Sequence, residues 1–258
     1  MPKEALPLNT FRRALHAGQQ QIGIWCSIPS SFTVEMLAGA GFDWLLLDTE
    51  HTPADLPQIY GQLQAAAAGR AHPVVRVPWN DPVAIKRFLD AGAQSLLIPM
   101  VQTAEEAAQA VAATRYPPHG IRGFAGGGRA SRFGRVADYH AHAHEELCVL
   151  VQVETAAALD QLEAICAVEG VDGVFIGPGD LSASLGYLGR QGAPEMVSLI
   201  EDTLRRIVAA GNRPGILTAD PDLARRYMAA GSLFTSVGLD LHLLTQNAEA
   251  LAVSFAGK

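Results

Sequence analysis

Four apolar runs in the sequence end in side chains that can do polar chemistry. They are Asp48-Thr49-Glu50-His51, Val75-Arg76-Val77, Val151-Gln152-Val153-Glu154 and Ile176-Gly177-Pro178-Gly179-Asp180. A charge at the end of a buried run costs desolvation free energy unless it is paired or meets a ligand. Glu154 and Asp180 offer hard carboxylate oxygens, with no Cys/His pair beside them. Such donors suit a divalent cation (Mg²⁺, Mn²⁺ or Co²⁺) whose other positions go to water and substrate. The plainer alternative is that Glu154 caps the next helix and Asp180 caps the turn before Leu181. His51 can move a proton near neutral pH. Arg76 can lay its fork on a carboxylate or an oxyanion without losing charge. Each could equally be an ordinary loop or structural residue.

The lysines narrow the chemistry. There are three, Lys3, Lys86 and Lys258, and none ends an apolar run. A Schiff-base enzyme needs its nucleophile there, so a metal is the available electrophile for activating a carbonyl. Two further features carry less. His140-Ala-His142-Ala-His144 sets two imidazoles on one helix face but offers no third ligand, so a surface feature is expected. The triplet Gly126–Gly128 follows no strand and opens no helix, so a mobile lid is expected there rather than a phosphate cradle.

To gather the four run ends in one place, the chain needs parallel strands. After an amphipathic lead at 10–17, Leu/Ile/Val-rich runs predict strands at 22–27, 44–48, 73–77 and 95–100. Four more are predicted at 148–154, 173–177, 214–218 and 233–237. Continuous apolar runs are the mark of parallel strands covered on both faces. Helical patterns at 34–40, 82–91, 104–113, 194–210 and 221–230 lie between them, several closed by a glycine such as Gly92 or Gly231. This alternation predicts an α/β fold, a (β/α)8 barrel in one domain over residues 1–258, with a short N-terminal helix. A doubly wound open sheet is the competitor, but no Gly-x-Gly-x-x-Gly follows the first strand. In a barrel the C-terminal strand ends share one mouth, which would bring His51, Arg76, Glu154 and Asp180 together.

Composition limits the partners. The chain has 258 residues, 49% hydrophobic and 17% charged, enough for one large core. Its formal net charge is −7, which does not suit a phosphate-backbone binder, so no nucleic acid is expected. No apolar run is long enough to span a bilayer, so no membrane partner is expected either. Three dispersed cysteines argue against a disulfide framework, and the start has no signal-peptide pattern. A cytoplasmic enzyme is the expectation.

The strand ends, with the stretches around them, resemble the HpcH/HpaI aldolase family of metal-dependent pyruvate aldolases. The resemblance runs over nearly the whole chain. It is carried by Leu37-Ala-Gly-Ala-Gly-Phe-Asp-Trp-Leu, Asp48-Thr-Glu-His, Val75-Arg-Val-Pro-Trp-Asn-Asp and Arg115-Tyr-Pro-Pro-His-Gly-Ile-Arg-Gly. Val151-Gln-Val-Glu-Thr and Gly170-Val-Asp-Gly-Val-Phe-Ile-Gly-Pro-Gly-Asp-Leu-Ser continue it. Relatives usually have glycine where this chain has Thr49, and many have alanine at Gly179.

The resemblance implies retro-aldol cleavage of a 4-hydroxy-2-oxo acid to pyruvate and an aldehyde, and the reverse addition. It implies that Glu154 and Asp180 ligate the divalent metal, with Asp48 and Glu50 behind its water. His51 would be the acid/base and Arg76 would stabilise the enolate. Gln152 and the backbone at Gly179 and Asp180 would hold the pyruvate moiety, and Asp90 would support the histidine. Asp90 falls at a helix C-terminus, at the barrel's opposite end from His51. A helix of this length spans about 15 Å, so the pairing requires a second subunit and predicts a homo-trimer or homo-hexamer. Two alternatives remain. One is a CoA-thioester lyase of the same family, of the citrate- or malyl-CoA type, which would need an adenine-phosphate site, and the sequence shows no clustered basic patch for it beyond the 122–135 segment. The other is an idle barrel that binds a keto acid.

Overall fold

A computed structural model of the chain describes residues 4–256. Eight parallel strands close into a barrel in sequence order, each bonded to its neighbours and the last to the first. The first four are β1 Gln21–Cys26, β2 Trp44–Asp48, β3 His72–Arg76 and β4 Ser95–Ile98. The others are β5 Cys148–Val153, β6 Gly173–Ile176, β7 Pro214–Leu217 and β8 Phe234–Leu239. The predicted strands all form, with no end shifted by more than two residues.

The helices up to the long connection are α1 Thr10–His16, α2 Ser31–Ala38, α3 Leu56–Ala66, α4 Pro82–Asp90 and α5 Ala104–Thr114. Beyond it come α6 Tyr139–His142, α7 Ala156–Asp160, α8 Leu162–Cys166 and α9 Pro178–Ser184. The last three are α10 Pro194–Ala209, α11 Pro221–Ala229 and α12 Asp240–Phe255. No described helix is long and apolar enough to cross a membrane. Lys3 and Lys258 lie outside the described residues.

Strand alternation decides what the barrel contains. Side chains two apart face the same way, so Trp44, Leu46 and Asp48 point inward, as do Val74 and Arg76, and Leu150, Gln152 and Glu154. The lower levels form an inner core of Trp25, Trp44, Leu46, Val74, Leu150, Phe175 and Phe234. Gly23 is required beneath it, because a Cβ there would stand 2.3 Å from the Trp44 ring. The alternate residues, such as Leu45, Leu47, Val75 and Val151, pack outward against the helices. The inner columns of β2, β3 and β5 therefore begin apolar and end polar at the mouth.

The base is plugged by α1, whose Phe11 and Leu15 join the inner core. Its N-cap Asn9 donates to Ser95 Oγ at 2.9 Å and to the Glu146 carbonyl at 3.1 Å. The long connection between α5 and β5 also lies at the base. Arg129 donates to the Ala91 carbonyl at 3.0 Å, and Glu4 makes a bridge to Val136. The expected lid is therefore corrected: a helix-to-strand loop reaches the strand starts, and Gly126–Gly128 belongs to the end away from the mouth. His140 packs against Tyr116 and Phe124 within the same segment.

Candidate active site

The mouth is a cavity of about 390 Å³ bordered by Asp48, His51, Arg76, Gln152, Glu154 and Asp180. Register sets its strongest contact. Asp48 on β2 pairs directly with Arg76 on β3, so their inward side chains meet. Arg76 Nε lies 2.8 Å from Asp48 Oδ1 and Nη2 lies 2.6 Å from Oδ2, a two-pronged clamp. The guanidinium also stacks 4.7 Å over the Trp25 ring, and Trp25 Nε1 donates to Asp48 at 3.1 Å. Burial pushes the Asp48 carboxyl up, but the Arg76 hydrogen bonds and charge outweigh it and hold it below its ordinary value. Thr49 adds a tie of its own, donating its hydroxyl to the Arg76 carbonyl at 2.6 Å.

Arg76 Nη1 also lies 2.7 Å from Glu50 Oε2, but that oxygen is buried without a hydrogen bond of good geometry. Burial, with Asp48 and Asp180 nearby, raises Glu50 to about 7 against the pull of Arg76. Glu154 is only 1% exposed. It accepts from Gln152 Nε2 at 2.5 Å and from the Met100 N–H at 2.8 Å. Burial still lifts it to about 7, with Glu50 and Asp180 adding to the rise. Gly177 makes this packing possible, since a Cβ there would come within 2.5 Å of Glu154 Oε2.

The plain alternative for the two carboxylates does not hold. Thr155, not Glu154, caps α7. Asp180 lies inside the first turn of α9, whose N-cap is Gly177. Among the described residues no three His, Cys or carboxylate side chains converge into a ready-made metal cage. A cation here would rest on two carboxylates and keep open positions. The donor set fits one: hard carboxylate oxygens, with Glu154 raised to about 7 by burial, beside a Gln152 Oε1 that is buried without a partner.

His51 stands on the loop after β2 with its side chain 63% exposed, its Nε2 4.0 Å from Glu50 Oε2 and beyond hydrogen-bond reach. Asp90 ends α4 at the base, where it accepts from Arg122 Nη2 at 2.8 Å. Within one chain the structure does not bring Asp90 to His51. Sequence reasoning missed the cavity's other wall, made by Leu217, Thr218, Leu223, Tyr227, Leu239 and His242. Most of these side chains are uncharged and carry no chemical signature in sequence.

The family profile described as HpcH/HpaI aldolase/citrate lyase matches residues 21–247. The chain belongs to this family. It is 55% identical to a pyruvate aldolase of Rhizobium etli over 97% of this chain and 99% of that relative. It is 56% identical to a 4-hydroxy-2-oxo-heptane-1,7-dioate aldolase of Klebsiella pneumoniae over 96% of this chain and 94% of that relative. The crystal structure of an HpcH/HpaI aldolase/citrate lyase family protein from Burkholderia cenocepacia superposes with a TM-score of 0.92 at 39% identity. It covers 96% of this chain and 100% of that one. The cavity that gathers His51, Arg76, Glu154 and Asp180 lies at the strand ends. The basic segment 122–135, where a CoA phosphate site was considered, is at the other end of the barrel.

Proposed function

We propose that this chain is a class II pyruvate aldolase, a carbon–carbon lyase that reversibly cleaves 4-hydroxy-2-oxo acids to pyruvate and an aldehyde. One observation carries the reading: the clamped Arg76 and the raised Glu154 border a single cavity at the strand ends. Glu154 and Asp180 would hold a divalent cation, Mg²⁺, Mn²⁺ or Co²⁺. Bound there, the cation supplies Lewis acidity for a 2-oxo group.

The chain's own residues do the rest. Gln152 and the first-turn N–H groups of Gly179 and Asp180, which have no partner inside α9, hold the pyruvate moiety. His51 takes the C4 hydroxyl proton. The C3–C4 bond then breaks, its electron pair passes into the enolate, and the aldehyde leaves. Arg76 stabilises the enolate oxygen with a fixed positive charge that Asp48 and Glu50 hold in place. A proton returned to C3 yields pyruvate. Asp90 supports His51 across a subunit boundary, in a homo-trimer or a dimer of trimers. The enzyme works in the cytoplasm.

The test is pyruvate release from a 4-hydroxy-2-oxo acid. Chelation abolishes it and Mn²⁺, Co²⁺ or Mg²⁺ restores it, while borohydride with pyruvate leaves the protein mass unchanged. A reduced adduct on Lys86 would overturn the mechanism.

A further inference from the structure

A second cavity opens at the base of the barrel, and it is as large as the mouth, about 390 Å³. Much of its lining is apolar: Leu6, Leu63, Pro73, Ala93 and Leu147 border it, and so do the rings of Phe133 and Tyr139. Three arginines complete it, Arg129, Arg132 and Arg135, and among the described residues no Asp or Glu borders it. On a chain with a net charge of −7, such a lining singles the cavity out for an anion.

Most of the polar groups are already engaged. His72 Nε2 lies 2.9 Å from Ser95 Oγ, and Gln94 Nε2 donates to the Pro7 carbonyl at 2.7 Å. Arg129 donates to the Ala91 carbonyl at 3.0 Å and to the Leu63 carbonyl at 3.3 Å. Helix C-termini carry partial negative charge, so this guanidinium serves the ends of α3 and α4. Arg132 pairs with Glu4. Arg135 is left over. It donates to the Arg132 carbonyl at 3.3 Å and lies 5.8 Å from the centre of the Phe133 ring, with no acidic partner among the described residues. The turn that presents it is strained, since Arg132 and Phe133 take φ of 49° and 60° without being glycine.

We propose that this cavity is a second binding site, separate from the mouth, for an organic monocarboxylate whose apolar body is about the size of a phenyl ring. The carboxylate meets Arg135, and the body covers the apolar lining. One spare cation suits one negative charge: a second carboxylate would lie among leucine and proline side chains without a partner, and unpaired buried charge is strongly disfavoured. A small anion would leave the apolar surface wet, whereas ligand sites of this size are mostly apolar with a few polar groups that fix orientation. The site has no carboxylate of its own to hold a metal, so it binds its ligand without turning it over. The proposal does not rest on the aldolase reading.

The test is calorimetric titration of the Mn²⁺-loaded protein with benzoate, benzamide and acetate, each with and without saturating pyruvate. Benzoate is expected to bind once per chain. It should bind about tenfold or more tighter than benzamide, which lacks the charge, and than acetate, which lacks the ring. Arg135→Gln, at an exposed position, should weaken benzoate by about tenfold and leave the melting temperature unchanged. Arg205→Gln, on α10 beside its own partner Asp202, is the control and should change neither. Absence of benzoate binding, equal binding of benzamide or acetate, or an affinity that Arg135→Gln leaves unmoved would overturn the site. Benzoate that pyruvate displaces would belong to the mouth, which would overturn it as well.

Discussion

The base and the mouth of this barrel both bury carboxylates, and they treat them differently. At the base, Glu146 is held below its ordinary value: burial pushes it up, but the Arg13 side chain and the Asn9 N–H outweigh that. Asp172 takes Arg12 at 2.9 Å and His16 at 2.6 Å. These charges have partners and hold α1 to the barrel floor. At the mouth, Glu50 and Glu154 are raised to about 7 and crowd one another. Charges left in tension inside a cavity mark a working site, whereas charges that are satisfied mark structure. Asp48 and Arg76 belong to both kinds, since they are satisfied by each other yet border the cavity.

The largest expected effect comes from breaking that shared pair. Arg76→Ala should lower kcat by about 10²–10³ if the guanidinium meets developing negative charge. It also strands Asp48, and removing one partner of a buried pair costs about 3–5 kcal/mol. Arg76→Lys keeps the charge but not the fork, so it should recover more stability than rate. Thermal melts alongside kcat separate the two effects. Equal recovery of both would make Arg76 purely structural.

Next in size is a test of whether the two ends are independent. His51→Ala and Asp90→Ala should each lose about 10² or more in rate, the scale of acid–base assistance. Mixed under conditions that allow subunit exchange, the two inactive proteins should regain activity, because some mouths then combine an intact His51 with an intact Asp90. A fully active monomer by light scattering would leave Asp90 as a partner of Arg122 only.

A smaller effect is expected at Gly177. Gly177→Ala forces a methyl towards Glu154 Oε2, and overpacking of this kind costs about 1–3 kcal/mol. Activity should fall by about tenfold, with a weaker apparent affinity for Mn²⁺ as the readout that a general loss of stability would not produce. An unchanged Mn²⁺ titration would mean that Glu154 moves freely or is not a ligand.

Much of the mouth is legible in the sequence because it obeys local rules. Period-two alternation carries Asp48, Arg76, Gln152 and Glu154 to inward positions, and the strand–helix rhythm carries them to one end. The segment around Gly126–Gly128 was misread as a lid because its glycines suggested motion, although its place between a helix and a strand already assigned it to the base. The Arg122–Asp90 pair spans 32 positions, and no periodicity reports a contact of that kind. The neutral wall around Leu223 was invisible for a simpler reason: leucines look alike whether they meet a core or a substrate.

The smallest expected effect belongs to the base and uses His72. This imidazole lies beneath α1, stacked on Phe11 with ring centres 5.9 Å apart and 2.9 Å from Ser95 Oγ. Burial pushes it down to about 4, from 6.5 in an unfolded chain. Between those values the unfolded chain binds a proton that the folded one refuses. The contribution is therefore complete above pH 6.5 and fades as the pH falls towards 4. Allowing for the ring's partial contact with solvent, about 2 kcal/mol is at stake. Denaturant titrations across this window should show the wild type losing stability more steeply than His72→Gln, which keeps a hydrogen-bonding group but cannot titrate. Parallel slopes would assign the acid sensitivity of the base to Glu146 instead, whose carboxyl is held below its ordinary value by Arg13 and the Asn9 N–H and whose ion pair weakens as it takes up a proton.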